Sequence, residues 1–135
     1  DNRARLIYGG ADFFLMPSRF EPCGLGQMYA MAYGTIPVVR RTGGLADTVR
    51  QYNEADASGT GFLFDEPTGD ALYETIARSC RVFHDKPDHI RAMRDHGMLQ
   101  DFSWDTSAAA YTNVYRWAVE ARLGISTDNN TMPAR

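Results

Sequence analysis

Apolar residues fall in short runs separated by glycine, proline and charge, and the spacing changes from run to run. Leu6-Ile7-Tyr8 followed by Gly9-Gly10 predicts the last turn of a helix and its glycine stop. The rest of that helix would lie upstream, so the chain reads as part of something longer. Phe13-Phe14-Leu15-Met16 is wholly apolar and closed by Pro17, which predicts a buried parallel strand. Leu25, Met28, Tyr29 and Ala32 then recur at i, i+3, i+4 and i+7, one face of a helix that Gly34 ends. Ile36-Pro37-Val38-Val39 predicts a second strand, with Pro37 near its start, where a missing N–H is tolerated. Strand, helix and strand in so short a stretch make a compact βαβ unit.

Thr42-Gly43-Gly44 reads as a turn directly after the second strand, and Asn53 to Thr60 as a polar connection. Gly61-Phe62-Leu63-Phe64 predicts a third strand. The remainder is helical. Leu72, Ile76, Ser79 or Cys80, and Phe83 mark one helix, introduced by Pro67-Thr68; Ile90, Met93 and Gly97 mark a second, with Pro87 near its first position. Ser103 is the expected cap of a third, whose apolar set Tyr111, Val114, Tyr115, Ala118 and Val119 is strongly periodic and which Gly124 stops. Trp104, Tyr111 and Tyr115 are expected in core and helix packing. Trp117 lies off that face, exposed or docked on a domain outside this chain. Met28, Met31 and Met93 are expected as core filler. Residues 125–135 predict a polar, mobile tail. The pattern as a whole is α/β: a parallel sheet flanked by helices.

Composition narrows the classes. The chain has 135 residues, 44% hydrophobic and 23% charged, the balance of one soluble globular domain. Fourteen basic residues against seventeen acidic ones give a net charge of −3. That is not the basic footprint of a nucleic-acid binder, so no nucleic-acid partner is expected. The longest apolar run, Met28 to Tyr33, is far short of the ~18 residues a membrane span requires, so no membrane partner is expected either. No targeting peptide is recognisable. Cys23 and Cys80 have no metal-ligand spacing and are expected as reduced thiols. Three scattered histidines, His84, His89 and His96, are expected to be solvated, and no metal is expected.

Open α/β sheets bind ligands outside the carboxyl ends of their strands. Two loops occupy that position, Pro17 to Gly26 and Arg40 to Leu45. In the first, Gly24 and Gly26 stand at the predicted helix start, where bare backbone N–H groups and the helix dipole favour an anion. Glu21 just before them would repel a phosphate but accept hydrogen bonds from sugar hydroxyls. Alone, this pattern fits a phosphate seat and a plain turn equally. Arg40 and Arg41 fit a solvated surface turn or a second anion site.

Two long motifs go further. Ser18-Arg19-Phe20-Glu21-Pro22-Cys23-Gly24-Leu25, continuing through Gln27 and Tyr29, and Val39-Arg40-Arg41-Thr42-Gly43-Gly44-Leu45-Ala46-Asp47-Thr48-Val49 closely resemble bacterial glycogen synthases and plant starch synthases. Gly61-Phe62-x-Phe64 and Phe102-Ser103-Trp104 fit the same family, so the resemblance runs from about Leu6 to Val119. It implies a Rossmann-like parallel sheet, part of the carboxyl-terminal domain of a GT-B glycosyltransferase, over residues 1–124. It implies a retaining enzyme that moves glucose from ADP-glucose to the non-reducing end of an α-1,4-glucan and releases ADP, with no cofactor and no metal. Glu21 then corresponds to the carboxylate that contacts the transferred glucose. Cys23, Gly24, Leu25 and Gly26 correspond to the stretch lining glucose and diphosphate. Thr42, Gly43 and Gly44 fall on the cleft side as substrate-binding candidates.

Departures from the family are informative. The position of Gly26 usually holds threonine, so a hydroxyl donor to phosphate is missing here. Sucrose-synthase-like relatives place a second glutamate where this chain has Tyr29. The family's catalytic Arg and Lys, and its amino-terminal domain, match nothing in residues 1–135. The 135-residue chain alone is therefore expected to be inactive. UDP-glucose stays open as the donor, and a free-standing nucleotide or nucleotide-sugar binding module stays open as the other class of function. The resemblance points to the bacterial cytoplasm rather than the plastid stroma.

Overall fold

The structure is a computed structural model that describes residues 2–124. In chain order the elements are α1 (Asn2–Gly10), β1 (Phe13–Met16), α2 (Gly26–Ala32), β2 (Ile36–Arg40), α3 (Gly43–Thr48), β3 (Phe62–Phe64), α4 (Gly69–Asp85), α5 (Pro87–Met98) and α6 (Trp104–Leu123). The chain divides into two compact units, residues 1–100 and 101–135.

The first unit is built on a three-stranded parallel sheet in the order β1-β2-β3. Phe13 lies opposite Ile36 and Val38 opposite Phe62, so β2 is the central strand. Side chains alternate across it, as the pleat requires. Ile36, Val38 and Phe62 join Tyr52, Val82, Ile90 and Met93 in one apolar cluster. Val39 and Leu63 join Met31, Leu45 and Val49 in another. Strand β1 pairs only with β2 within this chain, and it is less buried than expected, with Leu15 exposed and its other three residues half-buried.

Helix α2 ends in a Schellman motif. Gly34 at φ +78 lets its own N–H reach Met31 O (2.9 Å) while the Thr35 N–H reaches Ala30 O (2.9 Å). The face of α2 is the principal correction. Gln27, Ala30 and Met31 are buried, whereas Leu25 and Tyr29 are more than half exposed and Met28 is half-buried. Of the other methionines expected in the core, Met31 and Met93 are buried. Helix α4 starts as its sequence indicates: Thr68 accepts from the Ala71 N–H at 3.2 Å. Ser79, not Cys80, faces inward. His89 is not simply solvated, since its Nδ1 lies 2.8 Å from the buried Tyr52 hydroxyl. Both cysteines are free and exposed.

The second unit is described by α6. None of its residues is buried, and Trp104, Tyr111, Val114, Tyr115 and Val119 are all exposed, against the expectation of core packing. Trp117 is half-buried. The helix is periodic, but periodicity states only which residues share a face, not that a partner covers it. Its N-cap is Ser103, yet the serine hydroxyl makes no capping bond. Asp101 does the work instead: it accepts from the Ser103 N–H (2.8 Å) and the Thr106 hydroxyl (2.7 Å). These bonds, the Thr106 hydroxyl first, hold its carboxyl below the usual carboxylate range. A depressed folded value means support that is complete above the unfolded value and lost as pH falls through the folded one. On acid titration, the start of α6 should therefore lose amide protection below about pH 4. Asp101→Ala should remove that pH dependence; an unchanged titration of Ser103 to Ser107 in that variant would refute the assignment. The predicted tail, 125–135, lies outside the described residues.

Candidate functional site

Both candidate loops leave the carboxyl ends of their strands, residues 17–25 after β1 and 41–42 after β2. The second is shorter than its sequence implies. Thr42-Gly43-Gly44 is not a free turn: Thr42 is the N-cap and the two glycines open α3. Glycine is a poor helix former, which is why the sequence pattern hides this helix. Space demands the glycines here. A Cβ on Gly43 would lie 1.9 Å from Glu21 O, and one on Gly44 would lie 1.8 Å from Cys23 O. The Gly44 N–H is shared between Glu21 O and Pro22 O, each at 3.2 Å. The loops are thus pressed together backbone to backbone.

A buried amide completes the contact. Gln27 on α2 is fully buried, and its Nε2 donates to Gly24 O (2.9 Å), Cys23 O (3.4 Å) and Thr48 Oγ1 (3.0 Å). The Thr48 hydroxyl in turn donates to Gly44 O at 2.6 Å. Gly24 has φ +70, a conformation glycine adopts without steric cost. Leu25 and Cys23 are exposed beside it, and Glu21 is half-buried. At Gly26, the first residue of α2, the Phe14 ring stands where a side chain would begin: a Cβ would come within 2.8 Å of Phe14 Cζ.

The arginine pair braces this arrangement. Arg40 donates through Nη1 to Arg19 O (2.7 Å) and through Nε to Asp65 O (3.0 Å), tying the first loop to the end of β3. Arg41 pairs with the Asp65 carboxylate at 2.8 Å. Among the described residues, no group of three His, Cys, Asp or Glu side chains is placed to hold a metal ion, and no helix is long and apolar enough to cross a membrane.

The two loops, with the strands and helices that carry them, lie within a stretch, residues 1–89, that matches the family described as glycosyl transferases group 1. The chain belongs to this family. Its relatives include the glycogen synthase of Treponema denticola, 49% identical over 122 residues, covering 90% of this chain and 25% of that protein. Glycogen synthase 2 of Geobacter sulfurreducens is 50% identical over 124 residues, covering 92% and 25%. Among solved structures, the catalytic domain of starch synthase IV from Arabidopsis thaliana, bound to ADP and acarbose, superposes with a TM-score of 0.77 at 35% identity, over 89% of this chain and 25% of that one. A sucrose-phosphate synthase from Thermosynechococcus elongatus superposes less well, with a TM-score of 0.62 at 28% identity over 86% and 27%. The chain spans about a quarter of the length of these relatives. The parallel sheet with flanking helices is that of a GT-B glycosyltransferase domain.

For this glycosyltransferase chain, the expected site residues Glu21, Cys23, Gly24, Leu25, Gly26, Thr42, Gly43 and Gly44 are gathered at one end of the sheet. Not all are free to meet a ligand, because Gly44 spends its N–H on the first loop. Two residues that hold the loops were not singled out as site candidates, Gln27 and Thr48, while Arg40, open as part of a second anion site, is engaged with Arg19 O and Asp65 O. The available signal was a glutamine three and four residues before the buried Ala30 and Met31, an amide on an apolar face.

Proposed function

We propose that the protein carrying this chain is a retaining glucosyltransferase of the glycogen and starch synthase type. The chain supplies part of the donor-binding half, with residues 1–124 belonging to a carboxyl-terminal GT-B domain. Near-half identity to glycogen synthases, across nine-tenths of the chain and through both loops, is the observation that carries this reading. The matching stretch is a quarter of each larger relative, which favours the enzyme over a free-standing binding module.

In the reaction, the bond from glucose C1 to the diphosphate oxygen breaks and a new one forms to a hydroxyl at the non-reducing end of an α-1,4-glucan. The hydroxyl proton leaves with ADP. Glu21 accepts hydrogen bonds from the glucose hydroxyls, a task suited to an ionised carboxylate beside a neutral sugar. Backbone N–H groups along Cys23, Gly24, Leu25 and Gly26 face the diphosphate, whose charge grows as the bond breaks. Thr42 and Gly43 border the same space, and Gly44 keeps them there. The cation donors for the leaving group come from outside this chain, in or next to a domain that faces it. A bacterial cytoplasm suits an ADP-glucose enzyme with bacterial relatives.

The test is transfer itself. The full-length protein, given ADP-glucose and glycogen, should release ADP and lengthen the glucan, and UDP-glucose should serve less well. The 135-residue chain alone should release no ADP above buffer. No transfer by the full-length protein from either donor would end the proposal, and ADP release by the short chain would show that the leaving-group donors lie within it.

A further inference from the structure

We infer that Gln27 is a positioning residue for the donor loop: its carboxamide sets the two peptide planes whose N–H groups meet the ligand's phosphates. The inference rests on the donor-site reading above and names a group that acts through the backbone rather than by contact.

A buried glutamine is costly unless its amide is bonded, and a methionine would fill the same space without that demand. The bonds Gln27 makes are specific. Its NH₂ faces the carbonyl oxygens of Cys23 and Gly24, so a donor is needed there and the amide has one orientation. In a trans peptide, the carbonyl and the next residue's N–H point in opposite directions. Holding the Cys23 and Gly24 carbonyls toward Gln27 therefore turns the N–H groups of Gly24 and Leu25 away from it. The third acceptor, Thr48 Oγ1, passes the constraint on to Gly44 O, and the Gly44 N–H returns it to Glu21 and Pro22. The circuit encloses the loop that holds Glu21.

The other half of the amide shows what this orientation costs. Gln27 Oε1 is buried with no hydrogen-bond partner among the described residues. It rests against Gly24, 2.6 Å from where a Cβ would be. Turning the amide over would relieve nothing, since the oxygen would then oppose two carbonyl oxygens. A buried acceptor of this kind calls for an explanation, and the two carbonyls that fix the amide's orientation supply one.

The experiment uses the full-length protein with Gln27→Met, Gln27→Glu and Thr48→Val. Gln27→Met keeps the volume and deletes the bonds. Its ADP Kd and its KM for ADP-glucose should each rise about 10- to 100-fold, the scale of a misplaced binding group, with the glucan KM unchanged. Gln27→Glu, of the same shape but with oxygen facing the carbonyls, should bind ADP still more weakly. Thr48→Val should shift donor affinity in the same direction by less, and keeps the inference testable if either Gln27 variant fails to fold. In the parent, amide shifts on ADP addition should be largest at Gly24 and Leu25. Variants that bind ADP as the parent does, or that raise donor and glucan KM together, would overturn the inference. A parent that binds no ADP would overturn the donor-site reading instead.

Discussion

Replacing Glu21 by alanine in the full-length protein should lower kcat/KM for ADP-glucose by about 10²-fold or more while leaving the melting temperature almost unchanged. The magnitude follows from two hydrogen bonds to a charged acceptor, each worth about 1.5–3 kcal/mol, at roughly tenfold in rate per 1.4 kcal/mol. Stability should hold because the structural part of Glu21 is its backbone. Its carbonyl accepts from the Gly44 N–H, a bond alanine keeps, and its side chain is only half-buried. Surface substitutions of this kind stay within about 0.5 kcal/mol. Glu21→Gln should fall between the two, retaining one acceptor oxygen without the charge. Steady-state kinetics with thermal melts decide the matter: a collapsed melting temperature with normal activity per folded molecule would make Glu21 a structural residue.

Gly44→Ala should do the reverse, damaging stability and activity together. The added methyl would sit 1.8 Å from Cys23 O and 2.7 Å from Cys23 Cα. The three nearest atoms are all backbone, so no rotamer change can relieve the contact. The loops must part, and the Gly44 hydrogen bonds to Glu21 and Pro22 go with them. Overpacking of this kind costs about 1–3 kcal/mol, so the melting temperature of the full-length protein should fall. Gly69→Ala is the matched control, because a Cβ there meets nothing within 4 Å. Its melting temperature should not fall. If Gly44→Ala melts like the parent, the backbone contact between the loops is not what holds the site.

Much of this was legible in the residues, for local reasons. The three strands announce themselves by β-branched and aromatic runs between turn signals, and Thr68 and Gly34 act where their chemistry places them. Three things were not legible. Helix α3 begins on two glycines and is too short to show a period. Leu25, Met28, Tyr29 and Ala32 repeat with the same helical spacing as the buried Gln27, Ala30 and Met31, so apolarity alone chose the wrong face of α2. On α6 the apolar stripe is real, but its residues are exposed in the described chain. The site divides in the same way. Glu21 and the glycines stand in contiguous motifs, whereas Gln27 and Thr48 meet across twenty-one positions, and a hydrogen bond between distant residues leaves no periodic trace.

Phe14 and Gly26 have a bearing on ancestry. The ring occupies the room a side chain at position 26 would need, and it packs against Tyr8 at 5.5 Å between centroids. The two positions therefore form an epistatic pair. A lineage passing between this sequence and one with threonine at 26 meets less resistance if the aromatic ring shrinks first. The atom in the way, Phe14 Cζ, is the far end of a side chain, so a larger residue at 26 enters only as the ring moves aside, and substitutions at 14 and 26 should show coupled rather than additive effects on stability.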